Sequence, residues 1–85
     1  MISKRQRKRI KKILPNYVQK TKEVLKNNGI VNKQGNPYSD VYIQYVFAGT
    51  RHNFEIEMAI LEAYKTKLQE LEDLEAEKEK LFQKK

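Results

Sequence analysis

"YSDVYIQYVFAGTRHN", residues 38–53, is the stretch on which the fold turns. Ser39 is followed by nine residues free of Gly and Pro and then by Gly49. That pattern predicts a short helix from Asp40 to about Ala48, capped by Ser39 and stopped by Gly49. Asp40 in the first turn suits the positive end of the helix dipole. Ile43, Val46 and Phe47 recur at three and four residues, whereas Asp40, Val41, Gln44 and Tyr45 fall on the other side. One face is thus fit for packing, and the other offers hydrogen-bonding, methyl and ring groups.

Toward the C-terminus, Asn53 is placed to cap another helix, with Glu55 and Glu57 in its favourable first turn. Neither Pro nor Gly interrupts the chain from Phe54 to Lys85, so this helix is expected to outrun the domain. Its start, "FEIEMAILEAY", is apolar enough to enter a core. The remainder, "KTKLQELEDLEAEKEKLFQKK", carries only a thin apolar stripe. Leu61, Tyr64, Leu68 and Leu71 follow three- and four-residue spacing, and Leu74, Leu81 and Phe82 continue it after a slip in register. Two clean heptads result. They suit either a homodimer seam through Leu68, Leu71 and Leu74 or packing of Leu61, Tyr64 and Leu68 back onto the preceding helices. Glu70, Glu72, Asp73, Glu75, Glu77 and Glu79 alternate with Lys78 and Lys80 as on a solvated helix.

Toward the N-terminus, "SKRQRKRIKKILP" predicts a basic tail, frayed at first and helical from about Lys4 or Arg5, that ends before Pro15. Ile10, Ile13 and Leu14 share one face. Asn16 is a candidate cap for a helix to about Asn27, with Tyr17, Thr21, Val24 and Leu25 inward, Lys20, Lys22 and Lys26 outward, and Asn28-Gly29 as its stop. Between the two central helices, "IVNKQGNPY" contains the turn residues Gly35, Asn36 and Pro37, and forms either a small hairpin or an ordinary loop. The expected architecture is all-α. It comprises a basic N-terminal segment (1–14), a helix-turn-helix domain (15–64) and a C-terminal helical extension (65–85) that is suited to dimerisation.

Composition narrows the function. The chain has 85 residues, 39% of them hydrophobic and 34% charged, which leaves room for one small core and for no deep catalytic cavity. Without cysteine, disulfides and thiolate zinc sites are excluded, and a single histidine, His52, makes no metal site. No apolar run approaches the roughly 20 residues of a membrane span, and no signal-peptide pattern follows the basic start. The expectation is a soluble cytoplasmic protein, nucleoid-associated in a bacterial or phage setting. It is not an enzyme, and neither cofactor nor small-molecule ligand is expected, because no phosphate loop, nucleophile elbow or acid-base constellation is present. The net charge of +7 is unevenly spread: residues 1–33 hold eleven Lys or Arg against Glu23 alone, whereas residues 34–85 hold seven basic against ten acidic residues. The first part favours a polyanion and the second opposes one. Residues 3–14 lack a Trp or Phe to insert into lipid, which favours nucleic acid over a membrane surface.

Two helices joined by a turn, the second opened by Ser and closed by Gly, form the outline of a helix-turn-helix. "YSDVYIQYVFAGTR" resembles the recognition-helix signature of the lambda-repressor/Cro-like and lactose-repressor-type families: a Ser cap, an Ile or Val four residues on, then an apolar pair and an Asn or Gly. "RHNFEIEMAILEAY" is similar to the segment that leads into the next helix in many small repressor-like proteins. The likeness covers about residues 15–64. It implies that Asp40, Val41, Gln44 and Tyr45 face base edges, that Ser39 touches phosphate, and that Gly49, Thr50, Arg51 and Asn53 lie along the DNA backbone. The chain departs from those families in its connection, because nine residues separate Gly29 from Ser39. These form either a wing touching DNA through Asn32, Lys33 and Gln34 or a spacer that changes the helix crossing.

The resulting expectation is sequence-selective binding of double-stranded DNA by a small regulator of transcription or of recombination in a mobile element. Lys4, Arg5, Arg7, Lys8, Arg9, Lys11, Lys12 and Lys33 would contact the DNA backbone. The alternative is a helical protein-interaction module with nonspecific RNA or ribosome contact.

Overall fold

Among residues 2–82, which the computed structural model describes, the chain forms four helices and no strand: α1 (Lys4–Ile13), α2 (Tyr17–Asn27), α3 (Asp40–Ala48) and α4 (Phe54–Phe82). Each start and stop has a local cause. α1 opens with a capping box, in which the Gln6 amide donates to Ser3 Oγ while the Ser3 amide donates to Gln6 Oε1. The helix begins at Lys4, as expected, and Ile2 just before the cap is buried. Asn16 occupies the cap position of α2 without using its side chain. The Ser39 hydroxyl accepts from the Tyr42 amide at 3.1 Å, and Asn53 Oδ1 accepts from the Ile56 amide at 3.0 Å. Both act as the sequence predicts.

Two helices end in the same way. Gly29 (φ 67) and Gly49 (φ 86) adopt the left-handed conformation that ordinary residues avoid. That reversal turns the Ile30 amide onto the Leu25 carbonyl and the Thr50 amide onto the Tyr45 carbonyl, each at 2.9 Å. The Leu25 and Tyr45 carbonyls are thereby satisfied, and Lys26 and Val46 accept from the two glycine amides, as in a Schellman motif.

Of the two forms expected for the connection between α2 and α3, the structure has the loop and not the hairpin, and the loop is closed by side-chain bonds. Asn32 Oδ1 accepts from the Gln34 and Asn36 amides, both at 2.9 Å, and the Asn32 amide donates to the Asn36 carbonyl at 2.8 Å. One side chain thus closes the turn that holds Lys33. Ile30 and Tyr38, at either end of this connection, pack against the core.

The core takes one stripe from every helix. Ile10 comes from α1, Tyr17 and Leu25 from α2, Ile43, Val46 and Phe47 from α3, and Ile56, Ala59, Ile60 and Ala63 from α4, joined by Ile2 and Leu14. Residues in such positions contribute about 1.5–3 kcal/mol each when a large side chain is fully buried. Tyr17 stacks on Phe47 with ring centroids 4.1 Å apart and ties α2 to α3. Burial pushes the pKa of its phenol above the ordinary 10.0.

Beyond residue 68, every described residue of α4 is exposed. The stripe on this helix differs from the sequence expectation. Leu61, its expected start, is 40% exposed, whereas Ile60 is fully buried. From Ile60, four-three spacing runs through Tyr64, Lys67, Leu71, Leu74, Lys78 and Leu81, so the apolar row on this face is interrupted at Lys67 and Lys78. Leu68 lies at its edge and is half-buried.

One polar atom in the core has no evident use. Thr21 Oγ1, on a side chain with no exposed surface, is buried without a hydrogen-bond partner. Replacing it by a group of similar shape should help: Thr21→Val is expected to stabilise the protein by about 1 kcal/mol. Denaturant midpoints at constant m-value check this, and a lower midpoint would show that the hydroxyl is satisfied in solution.

Candidate nucleic-acid interface

The exposed side of α3 is set by which of its residues the core takes. With Ile43, Val46 and Phe47 turned inward, Val41 (53% exposed), Gln44, Tyr45 (46%) and Ala48 are left on one outward face. These residues are related by three, four and seven positions, which places them within about one-third of the helix circumference. Three of them belong to the four expected base-reading residues.

The fourth, Asp40, is engaged elsewhere. Its Oδ1 holds the Lys22 ammonium at 2.8 Å, an ion pair that clasps the start of α3 to α2. Both side chains are substantially solvated, so the pair orients more than it stabilises. It also neutralises the acidic group that would otherwise repel phosphate at this end of α3.

Concave surfaces lie along both flanks of α3. On one side, a groove of about 680 Å³ separates it from α1, lined by Lys4, Arg7, Lys8, Lys11, Tyr17, Gln44 and Ala48 together with Phe47. Four cations of α1 therefore stand across from the polar edge of α3. Arg7 is also tied down, because its Nη1 donates to the Ile2 carbonyl at 3.0 Å. Arg5, Arg9 and Lys12 are exposed but do not line this groove. On the other side, a shallow depression is lined by Ser39, Val41, Tyr42, Tyr45 and Arg51. The Arg51 amide donates to the Tyr45 carbonyl at 3.2 Å, which fixes the backbone from which that guanidinium projects.

The remaining expected contacts are less directly placed. Asn53 is occupied on both ends of its amide: Oδ1 caps α4, and Nδ2 donates to the Tyr38 hydroxyl at 3.4 Å. Thr50 is exposed beside Gly49, and Lys33 is exposed in the Asn32 turn, but neither lines a flank of α3. Tyr38 and Tyr42 stack on each other at 5.3 Å and pack on the core, so Tyr42 serves the rim of the domain. His52 Nδ1 lies 3.2 Å from the largely buried Glu57 carboxylate, which tethers the α3–α4 turn to the first turn of α4. Leu71 and Leu74, two of the expected dimer residues, are exposed on the outer part of α4.

Sequence reasoning misses Tyr17 and Ala48 as groove residues and misses the division of α1 into two cationic faces. A helical projection of residues 4–12 contains the division: Lys4, Arg7, Lys8 and Lys11 follow three- and four-residue spacing, and so do Arg5, Arg9 and Lys12. Which face meets α3 depends on packing alone.

No family model, curated protein or solved structure matches this chain. None of these comparisons supports the expected likeness of residues 15–64 to repressor-type sequences.

The position of Arg51 depends on the left-handed turn before it. Gly49→Ala is expected to cost about 1 kcal/mol, with Gly49→Asn milder because Asn tolerates this conformation better. Thermal unfolding of the two variants against the parent gives the order directly, and equal stability of all three would contradict the assigned turn.

Proposed function

We propose that this protein binds double-stranded DNA sequence-selectively, with α3 in the major groove, and acts as a small regulator of transcription or of mobile-element recombination. The observation that supports the reading is the flanking of α3. Its outward face bears groups able to contact base edges, and cations stand on both sides: Lys4, Arg7, Lys8 and Lys11 across one groove, Arg51 beside the other depression. A major groove, about 12 Å wide, admits a helix and is bordered by phosphates on both sides. A surface of this kind meets bases in the middle and phosphates at the edges.

The roles divide accordingly. Lys4, Lys8 and Lys11 neutralise the phosphates along one strand, Arg51 those along the other, and the helix between them sets the sequence preference. Arg5, Arg9 and Lys12 contribute longer-range attraction. Ser39 and Asn53 act as caps that hold the reading helix and the turn after it. Asp40 holds the angle between α2 and α3 through Lys22.

The alternative of an interaction module with nonspecific RNA contact makes a different demand, since charge alone requires no base preference. Selection from a random duplex library at about 150 mM salt separates the two. An enriched motif is expected. Binding mixed single-stranded RNA as tightly as any duplex would defeat the proposal.

Charge replacement tests the geometry. Changing Lys4, Lys8 and Lys11 together to Gln should lower the slope of log K against log salt by about 0.9 for each phosphate left without its cation. The same replacement at Arg5, Arg9 and Lys12 should lower it by less. Equal effects from the two triple variants would mean that α1 acts as a diffuse charge, without a groove-facing side.

A second copy of the chain is the proposed cover for Leu71 and Leu74, with Leu68 at the margin. Two modules double the contact that one small domain supplies to DNA. Such pairing brings like charges together, because Lys67 and Lys78 interrupt the stripe and Glu70 and Glu75 flank it. Association measured by light scattering should therefore strengthen as salt rises, opposite to the DNA affinity, and Leu71→Ala with Leu74→Ala should abolish it. A concentration-independent monomer mass at high salt would exclude this interface.

A further inference from the structure

The chemistry of the outward face of α3 is narrower than a general reading helix requires. We infer that this face selects A·T base pairs, with thymine methyl groups supplying much of the discrimination; the inference rests on the DNA-binding reading above and names its substrate class.

The first ground is what α3 lacks. Its sequence, DVYIQYVFA, contains no Lys or Arg, the side chains that most often take guanine O6 and N7. Its single carboxylate, Asp40, would be the acceptor for the cytosine amino group, but its Oδ1 already holds Lys22 at 2.8 Å. The device for guanine is therefore missing from α3, and the one for cytosine is tethered through one oxygen to α2.

What remains is one amide among apolar groups. Gln44 carries the donor and acceptor that match adenine N7 and N6 in bidentate fashion. Val41, Tyr45 and Ala48 surround it on the same face, with Val41 53% exposed and Tyr45 46% exposed. On the major-groove edge of the four bases, the thymine 5-methyl is the apolar group. An exposed valine on an otherwise solvated surface gains by covering a methyl and gains nothing from an amino or carbonyl edge.

The dimensions agree with a short A·T core. From Val41 to Ala48 the helix rises about 10 Å, which corresponds to roughly three base-pair steps of about 3.4 Å. Arg51 lies in the turn after α3, where it borders Val41 and Tyr45, and takes the flanking phosphate. The discriminating set is thus Val41, Gln44 and Tyr45, with Ala48 leaving room at the end of the row.

The decisive experiment changes the DNA and leaves the protein as it is. The best duplex from the random library is remade with each thymine in turn replaced by deoxyuridine, which removes the 5-methyl and keeps the base pairing. An A·T core is expected, with affinity falling about fourfold for each contacted methyl, the equivalent of burying one methylene-sized group. Val41→Ala should remove the sensitivity to one such methyl while Gln44→Ala leaves it in place. Because Val41 is exposed, helix content by circular dichroism should not change. A motif centred on G·C pairs, or equal affinity for the thymine and deoxyuridine duplexes, overturns the inference while leaving DNA binding intact. Absence of duplex binding beyond that to mixed single-stranded RNA overturns the DNA-binding reading itself and this inference with it.

Discussion

Everything in the molecule depends on the burial of the first half of α4. Ile56 and Ile60 are wholly enclosed, and Ala59 and Ala63 lie beside them with almost no exposed surface. Small side chains on that face let a neighbouring helix approach closely, since interaxial distance follows the residues at the contact. A chain of this size has little core to distribute, and short helices such as α1 and α3 are marginal on their own in water. Their angles are therefore imposed by the surface they pack on. α3 has its outward face because Ile43, Val46 and Phe47 have nowhere else to be buried, and α1 stands beside it because Ile10 and Leu14 reach the same core.

That dependence turns a cationic segment into part of a shaped surface. A free tail with seven basic residues would attract any polyanion and hold no fixed position. In the folded chain, Ile2, the Ser3–Gln6 capping box and the Arg7 bond to the Ile2 carbonyl fix the segment from its beginning. Lys4, Lys8 and Lys11 then project from a rigid helix at set spacing, opposite Gln44. Preorganised charge of this kind loses less conformational freedom on binding than a tail does.

The parts of this arrangement that are legible in the sequence are those with local causes. Ser39, Gly49 and Asn53 act through neighbours three to five residues away, and the inward faces of α2 and α3 follow from spacing alone. What stays hidden involves partners distant in sequence or governed by packing. Asp40 meets Lys22 eighteen residues earlier, a tie to α2 that helical periodicity alone does not show. Asn53 is legible as a cap, but its second bond goes to Tyr38, fifteen residues away, and that partner carries no local signal. The Asn32 turn is local but depends on one amide accepting two bonds at once, a geometry that turn composition does not distinguish from a loop. On α4, spacing starts the apolar stripe at Leu61, whereas the core takes Ile60 and leaves Leu61 40% exposed, because the side that the core occupies decides between them.

The cations of α1 and the carboxylates at positions 70–79 of α4 are compatible in one small molecule because α4 is long and continuous. From Phe54, beside the α3–α4 turn, to Glu70 the helix rises about 24 Å, and to Glu79 about 38 Å. Glu70 lines a cleft with Leu14 at the end of α1 and Lys20 of α2, and each further residue of α4 adds about 1.5 Å, so with a Debye length of about 8 Å at physiological salt the carboxylates toward Glu79 are screened from α1 whereas Glu70 is not. The screened carboxylates act instead on whatever approaches the far end of α4. There they lie beside Leu71, Leu74 and Leu81, on the continuation of the stripe that the core uses nearer the N-terminus. A row bordered by carboxylates, and interrupted by Lys67 and Lys78, opposes close approach by a nucleic acid and, at low salt, by a second copy. Pairing through this surface therefore requires either screening or a compensating positive charge on the other side, and the same helix that completes the core sets the ionic condition under which its outer half can be covered.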